Sequence, residues 1–209
     1  MGATPKKLYD LPFSGNGYKV RLALAQLGIP VAYEVVDFQK GETRAPGFLA
    51  KNPLGQIPVL ELTDGTYLRE SNAILYWLAE STHLMPADAL SRARFVQWAM
   101  FEQNHIDKVI GRARFLRAYP EFRPTTEEDF AGWLNEGNQA LAIMEADLAG
   151  RAFFAGERYS IADICLYGYV HCAAEGGFDL ARFPRVSAWI GRVSDQPRHI
   201  LMSDAAGAP

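Results

Sequence analysis

The spacing of apolar positions along this chain changes character near Ser81. Before it, short β-rich runs alternate with helical patterns. The residues from about Lys6 to Asp10 predict a first strand and Leu11 to Asn16 a loop; Val20, Leu22, Ala23, Leu24 and Leu27 then mark a helix that Gly28 ends and Pro30 follows. A second strand is expected in VAYEVVDF, then a polar stretch carrying Gly41 and Pro46 and a short helical piece around Phe48 to Lys51. The run QIPVLEL and the later TYL predict a hairpin turning at Asp64-Gly65. Ile74, Leu75 and Leu78 fall on one face of a helix opened by Glu70-Ser71. The order βαβαββα suits a parallel strand pair extended by an antiparallel hairpin and covered by helices, an α/β domain over residues 1–81.

Beyond Ser81 the run STHLMPADALS is rich in turn residues, which makes residues 82–90 a linker, and the remaining pattern is helical. Residues 91–209 are expected to form an all-α C-terminal domain. One long segment runs from Ser91 to about Tyr119 and carries Phe95, Trp98, Phe101 and Phe115. A second runs from Thr125 to Leu148, with Thr125 or Thr126 as its cap and acidic residues in its first turn. Ser160 and Asp163 have capping-box spacing at the start of a third helix, which makes Asp163 a folding residue rather than a catalytic one.

Composition narrows the function. Of 209 residues, 49% are apolar, yet no run of about 18 apolar residues could span a bilayer. A formal charge of −3, with basic residues scattered apart from Arg112, Arg114 and Arg117, gives no electrostatic reason to expect nucleic acid. The first residues lack the apolar core of a secretory signal, so a cytoplasmic protein is expected. Cys165 and Cys172 lie seven apart, a spacing that places both on one face of a single buried helix, too far apart for a bridge and wrong for CxxC chemistry. They read as core thiols. Four histidines without ligand spacing give no metal site.

The candidate chemistry sits between Asn52 and Leu78. Pro58 cannot donate to a ladder, and a cis Ile57-Pro58 bond would turn the Ile57 backbone toward a cleft where an extended peptide can pair. Ser71 at a helix N-terminus suits a ligand carboxylate, and Glu70 beside it suits an ammonium. One end of a zwitterionic peptide fits both. NPLGQIPVL, the hairpin, and ES followed by AILYWL resemble in combination the glutathione-binding half of the cytosolic glutathione transferases. SIADI and FPRVSAWIGRVSDQP resemble that family's later helices, so the likeness covers nearly the whole chain. It implies a thioredoxin-like α/β N-terminal domain, an all-helical C-terminal domain, and glutathione held by Gln56, Ile57, Pro58, Glu70 and Ser71. Gln56 stands where a lysine is common in the family and brings no charge, which implies weakened affinity. The stretch Gln39 to Arg44, where relatives often place a glycyl contact, assigns nothing.

A thiol has a pKa of about 8.5, so a nucleophile near neutral pH needs its thiolate favoured. A donor and a helix N-terminus suffice. Ser14 lies just before the first helix in FSGNGYKVRLAL, where serine serves either as a cap or as a donor to sulfur. That run resembles the active-site segment of serine-type members, the theta and zeta kinds and bacterial relatives, which together with Pro58 and Ser71 favours the donor role. Asn16, a good helix cap by type, is the second candidate for the thiolate, and Tyr9, inside the strand, the third. No cysteine lies near Ser14, so the likeness does not extend to members that reduce mixed disulfides through their own thiol.

The second substrate is expected against the helical domain, near Phe13, Phe101, His105, Arg112 and Phe115, aromatics for an apolar wall and arginine for an anion. Taken singly, the aromatics read more simply as core and His105 as a surface histidine. The expected activity is attack of bound thiolate on a small electrophile to give a thioether. The alternatives are glutathione-dependent isomerisation or dehalogenation, and a non-catalytic interaction module that keeps the fold. The resemblance also implies a homodimer through the Ser71 and Ser91 helices, with the partner's Gln103 or Asp107 reaching the glutathione ammonium.

Overall fold

A computed structural model of the protein describes residues 2–204. The chain divides into two compact units, one running through Thr82 and joined by the chain from Pro197 onward, the other His83–Gln196. The domain ranges expected above assign everything from residue 91 to the helical part; the contacts return Pro197 onward to the first unit. Met1 and residues 205–209 lie outside the described residues.

The first unit follows the expected order: β1 (Pro5–Asp10), α1 (Gly15–Leu27), β2 (Ala32–Val35), α2 (Pro46–Leu49), β3 (Val59–Leu62), β4 (Tyr67–Leu68) and α3 (Ser71–Ala79). The sheet order is β2-β1-β3-β4, parallel between β1 and β2 and antiparallel across the other two pairs. The second strand is shorter than the β-rich run around it. Its register with β1 spans Lys7↔Ala32 to Asp10↔Val35, and once the Val36 N–H reaches the Asp10 carbonyl, at 2.9 Å, β1 has no further residues to pair. All four residues of β3 are buried, and so are the last three of β1, as expected where both faces of a sheet are covered. Gly28, at φ 65°, ends α1 in the left-handed conformation that glycine adopts without a Cβ penalty.

In the second unit α4 (Ala89–Phe101) runs without a break through Glu102–Gly111, where the hydrogen bonding is π-helical, into α5 (Arg112–Ala118). α6 (Glu127–Asp147), α7 (Ile161–Val170) and α8 (Pro184–Ser194) follow. Thr126 caps α6 in a reciprocal box with Asp129. α7 is buried at every residue and forms the core of this unit. Beside it Phe154 packs edge-on against Trp98 and Trp189, with ring centroids 4.6 and 5.0 Å apart.

The two cysteines do not share a helix face. Cys165 is inside α7, but the helix ends at Val170, so Cys172 belongs to the turn beyond it. Both thiols are free and buried, and burial pushes that of Cys172 up to about 12.

Asp163 is the polar hub of this unit. It lies at 0% exposure; Oδ1 accepts from the Phe154 N–H at 3.1 Å and the Trp189 indole at 3.0 Å, and Oδ2 from the Ser160 N–H at 3.0 Å. Burial raises its pKa from 3.8 to about 6, against the pull of these donors. Asp163→Ala should lower unfolding free energy by about 2 to 5 kcal/mol, since it orphans several buried donors. Because the folded pKa is the higher one, the contribution of this carboxyl is fully present below about pH 4 and is lost as pH rises through about 6. Urea titrations should show the parent losing stability relative to Asp163→Asn across that window and no further change above it.

Candidate active site

The site is built around the beginnings of two helices. At the end of β1 the chain turns through Leu11–Ser14, closed by a 2.9 Å bond from the Ser14 N–H to the Leu11 carbonyl. Ser14 is the N-cap of α1: its backbone is extended and its Oγ accepts from the Gly17 N–H at 3.0 Å. Capping takes a lone pair of the hydroxyl and leaves its proton to be donated elsewhere, so the cap and donor roles are compatible. Ser14 is half-buried, within reach of a ligand.

Asn16 does not cap this helix. It sits inside the first turn, and its Oδ1 accepts from the Ser71 hydroxyl at 3.1 Å and the Lys19 ammonium at 2.8 Å. Lys19 is fully buried and also lies 3.4 Å from Ser71 Oγ. Through these contacts the structure brings the N-terminus of α1 and that of α3 side by side. A buried ammonium next to Ser71 adds positive charge where the α3 dipole already favours an anion. Nothing in the sequence pattern separates Lys19 from a solvated lysine; the only signal, shared with Arg21, is a charge within a largely apolar run.

Glu70, the N-cap of α3, is exposed and holds φ 65°, ψ 110°. Positive φ in a residue with a Cβ is sparsely populated and persists only where its surroundings dictate it. The Ile57-Pro58 bond is cis. Ile57 packs against the cluster of Tyr9, Val36, Phe48 and Val59. The preceding turn is organised by Asn52, another residue the sequence reading missed. Its Nδ2 donates to the Gln56 carbonyl at 2.7 Å, and its Oδ1 accepts from the Leu54 N–H at 3.1 Å. Gly55, at φ 60°, completes that turn; a Cβ there would lie 2.7 Å from the Thr43 carbonyl oxygen. Gln56 itself is exposed. In the stretch left unassigned above, Arg44 donates to the Leu54 carbonyl at 3.0 Å and so braces the same turn.

Tyr9 is removed as a thiol donor. Its hydroxyl donates to Glu61 at 2.7 Å, and burial together with that carboxylate raises its pKa far above the usual phenol range. Beneath the Ser14 loop lies a buried ion pair, Arg21 Nε to Asp10 Oδ2 at 3.0 Å. Burial pushes the Asp10 carboxyl up, with Arg21 and the Leu11 N–H pulling against it. Gly17 lies directly against that carboxylate: a Cβ there would come 1.7 Å from Asp10 Oδ1.

The residues expected at the second-substrate site divide between the units. In the first, Phe13 is 58% exposed on the Ser14 loop. In the second, Phe101 and the exposed His105 lie with ring centroids 5.0 Å apart, Arg112 is exposed, and Phe115 joins Tyr119 and Phe122. The other two arginines of the cluster serve the fold. Arg114 pairs with Glu175 at 2.5 Å, and Arg117 stacks over Phe130 and donates to the Gly176 carbonyl. Gln103 and Asp107 are likewise engaged within their own unit, with Glu102 and Tyr169. Among the described residues no group of three or more His, Cys, Asp or Glu could hold a metal, and no helix is long and apolar enough to cross a membrane.

Residues 8–84 match the family described as glutathione S-transferase, N-terminal domain, and residues 109–197 the corresponding C-terminal domain. A maleylacetoacetate isomerase of Rhizobium meliloti is 34% identical over 87% of this chain and 87% of that protein. The Escherichia coli disulfide-bond oxidoreductase YfcG is 30% identical over 91% and 90%. The crystal structure of a glutathione S-transferase from Pseudomonas fluorescens Pf-5 superposes with a TM-score of 0.91 at 45% identity, covering 95% of this chain and 98% of that one. Further solved structures that resemble this chain were crystallised with glutathione or its disulfide bound.

Proposed function

The chain belongs to the glutathione S-transferase family, and from that premise we propose that Ser14 is the donor that holds the thiolate of bound glutathione. The protein is a glutathione transferase and glutathione is its co-substrate. The observation that carries the site assignment is the union of the α1 and α3 beginnings through Asn16, with Ser14 at one and Ser71 at the other. In this reading Glu70 and Ser71 hold the γ-glutamyl end, the Ile57 backbone pairs with the cysteinyl residue, and Gln56 approaches the glycyl end. Asn16 supports Ser71 through its Oδ1, and its Nδ2 is the second candidate donor to the thiolate after Ser14.

The sulfur then lies near the first turn of α1. Its proton leaves to solvent, and the Ser14 O–H and the helix dipole stabilise the anion. Two units of pKa lowering correspond to about 2.7 kcal/mol, a task one donor plus a helix end can perform. The thiolate attacks the electrophile, a C–S bond forms, and the leaving group departs with its electron pair. Phe13, Phe101, His105, Arg112 and Phe115 remain the candidates for the second-substrate site. We read the enzyme as cytoplasmic.

The isomerase relative favours a second reading, in which the same thiolate adds to the substrate and is later expelled, so that glutathione returns unchanged. Disulfide exchange through a thiol of the enzyme has less support, because both cysteines are buried in the helical unit.

Ser14→Ala should raise the pKa of bound glutathione toward its free value and lower turnover near pH 7 by about 10- to 1,000-fold, or ~1.4 to 4 kcal/mol, with the loss shrinking as pH rises. Ultraviolet titration of the bound thiolate beside a pH-rate profile checks both. An identical titration with and without the hydroxyl returns Ser14 to a plain cap; a parent protein that binds glutathione with no thiolate below about pH 8 is a binding module instead. Ser71→Ala should weaken glutathione binding by about 1 to 3 kcal/mol in calorimetry, and unchanged affinity removes Ser71 from the site. The apolar residues exposed on α3 (Tyr76) and on α4 (Leu90, Val96 and Met100) support a homodimer. Light scattering at micromolar concentration should report twice the 23.2 kDa chain mass.

A further inference from the structure

We propose that Arg21, paired with Asp10, is a positioning residue for the Ser14 hydroxyl and ties the C-terminal segment of the chain to the Ser14 loop. This rests on the reading of Ser14 as thiolate donor. Arg21 is 1% exposed, and one guanidinium serves four acceptors. Nε meets Asp10 Oδ2 at 3.0 Å, one terminal nitrogen donates to the Pro12 carbonyl, and the other to the carbonyls of Met202, at 2.7 Å, and Asp204. Asp10, the last residue of β1, leads directly into the Ser14 loop, so its partner in the pair is fixed where the loop begins. The pair therefore holds the chain that leads into the Ser14 turn at two points, Asp10 by its carboxylate and Pro12 by its carbonyl. The Leu11 carbonyl then takes the Ser14 N–H, which closes the turn.

The other side of the same unit is held as firmly. The bare Cα of Gly17 rests on the Asp10 carboxylate, and its N–H donates to Ser14 Oγ, so the ion pair also sets where the helix offers its cap. Next along α1, Tyr18 donates its hydroxyl to the Ile200 carbonyl at 2.7 Å and lies 3.2 Å from His199 Nε2, which fixes the chain just before the two carbonyls that Arg21 holds. Residues 199–204 thus lie as a strap along α1, anchored at the group that shapes the Ser14 loop. A planar fork with five donors can meet these acceptors together; an ammonium cannot.

The test is Arg21→Lys in the full chain, with Asp10→Asn as a second route if the first variant folds poorly. Each is assayed with and without Ser14→Ala. Ultraviolet titration of bound glutathione should show the thiol pKa raised by about one unit in either variant, turnover near pH 7 reduced about 10-fold and recovering at higher pH, and glutathione affinity changed less than about 3-fold. In the Ser14→Ala background neither variant should raise the thiol pKa further. A folded Arg21→Lys or Asp10→Asn protein whose bound thiol titrates like the parent's overturns the proposal while Ser14 stands, and so does a pKa effect that adds in full to that of Ser14→Ala. If Ser14→Ala alone leaves the thiol unmoved, the reading of Ser14 falls first and the positioning role with it.

Discussion

The first unit depends on a helix that is buried on nearly every side. From Gly17 to Leu24 each residue of α1 is buried, and two of them, Lys19 and Arg21, carry charge. A buried charge without partners costs several kcal/mol, so each must be answered by polar groups close at hand. Arg21 is answered by Asp10 and three carbonyls, Lys19 by Asn16 and Ser71 among its contacts. Those answering groups are the ends of β1, the Ser14 loop, the start of α3 and the C-terminal strap. Charge satisfaction thereby fixes the segments from which the candidate site is made.

Removal of one partner from such a pair leaves the other stranded, which costs more than the pair contributes. The Asp10–Arg21 pair is therefore a device for holding geometry more than a source of stability. Gly17 belongs to the same device. Only a residue without a side chain lets α1 approach the carboxylate, and that approach presents the Gly17 N–H to Ser14.

The helical unit solves its own problem differently. Its central helix α7 is buried at all ten positions, so its unsatisfied N-terminal N–H groups cannot turn to water. Asp163 and Ser160 satisfy them from within, and Asp163 at once takes the Trp189 indole and the Phe154 N–H, which fasten α8 and the preceding turn to α7. One carboxylate serves as cap and as cross-brace. Its contacts at the helix start are those of the capping box that the Ser160/Asp163 spacing predicts.

The sequence by itself determined what local chemistry dictates. Period and punctuation gave the βαβαββα order, the hairpin at Asp64-Gly65, the stop at Gly28 and the caps at Thr126 and Ser160, because each depends on residues within a turn or two of one another. The proline of Ile57-Pro58, the Glu70-Ser71 helix start and the place of Ser14 just before α1 were legible for the same reason. The tertiary structure alone decided the rest. β2 stopped at Val35 because its partner strand ran out, and Cys172 left the helix because α7 ended first. Asn16 became the link between two helix starts instead of a cap, and Lys19 and Arg21, indistinguishable by type from solvated cations, became the buried hubs. Their roles depend on near groups together with others 52 to more than 180 positions away along the chain. Spacing records which neighbours share a turn; which distant groups must answer a buried charge is settled only when the chain closes on itself.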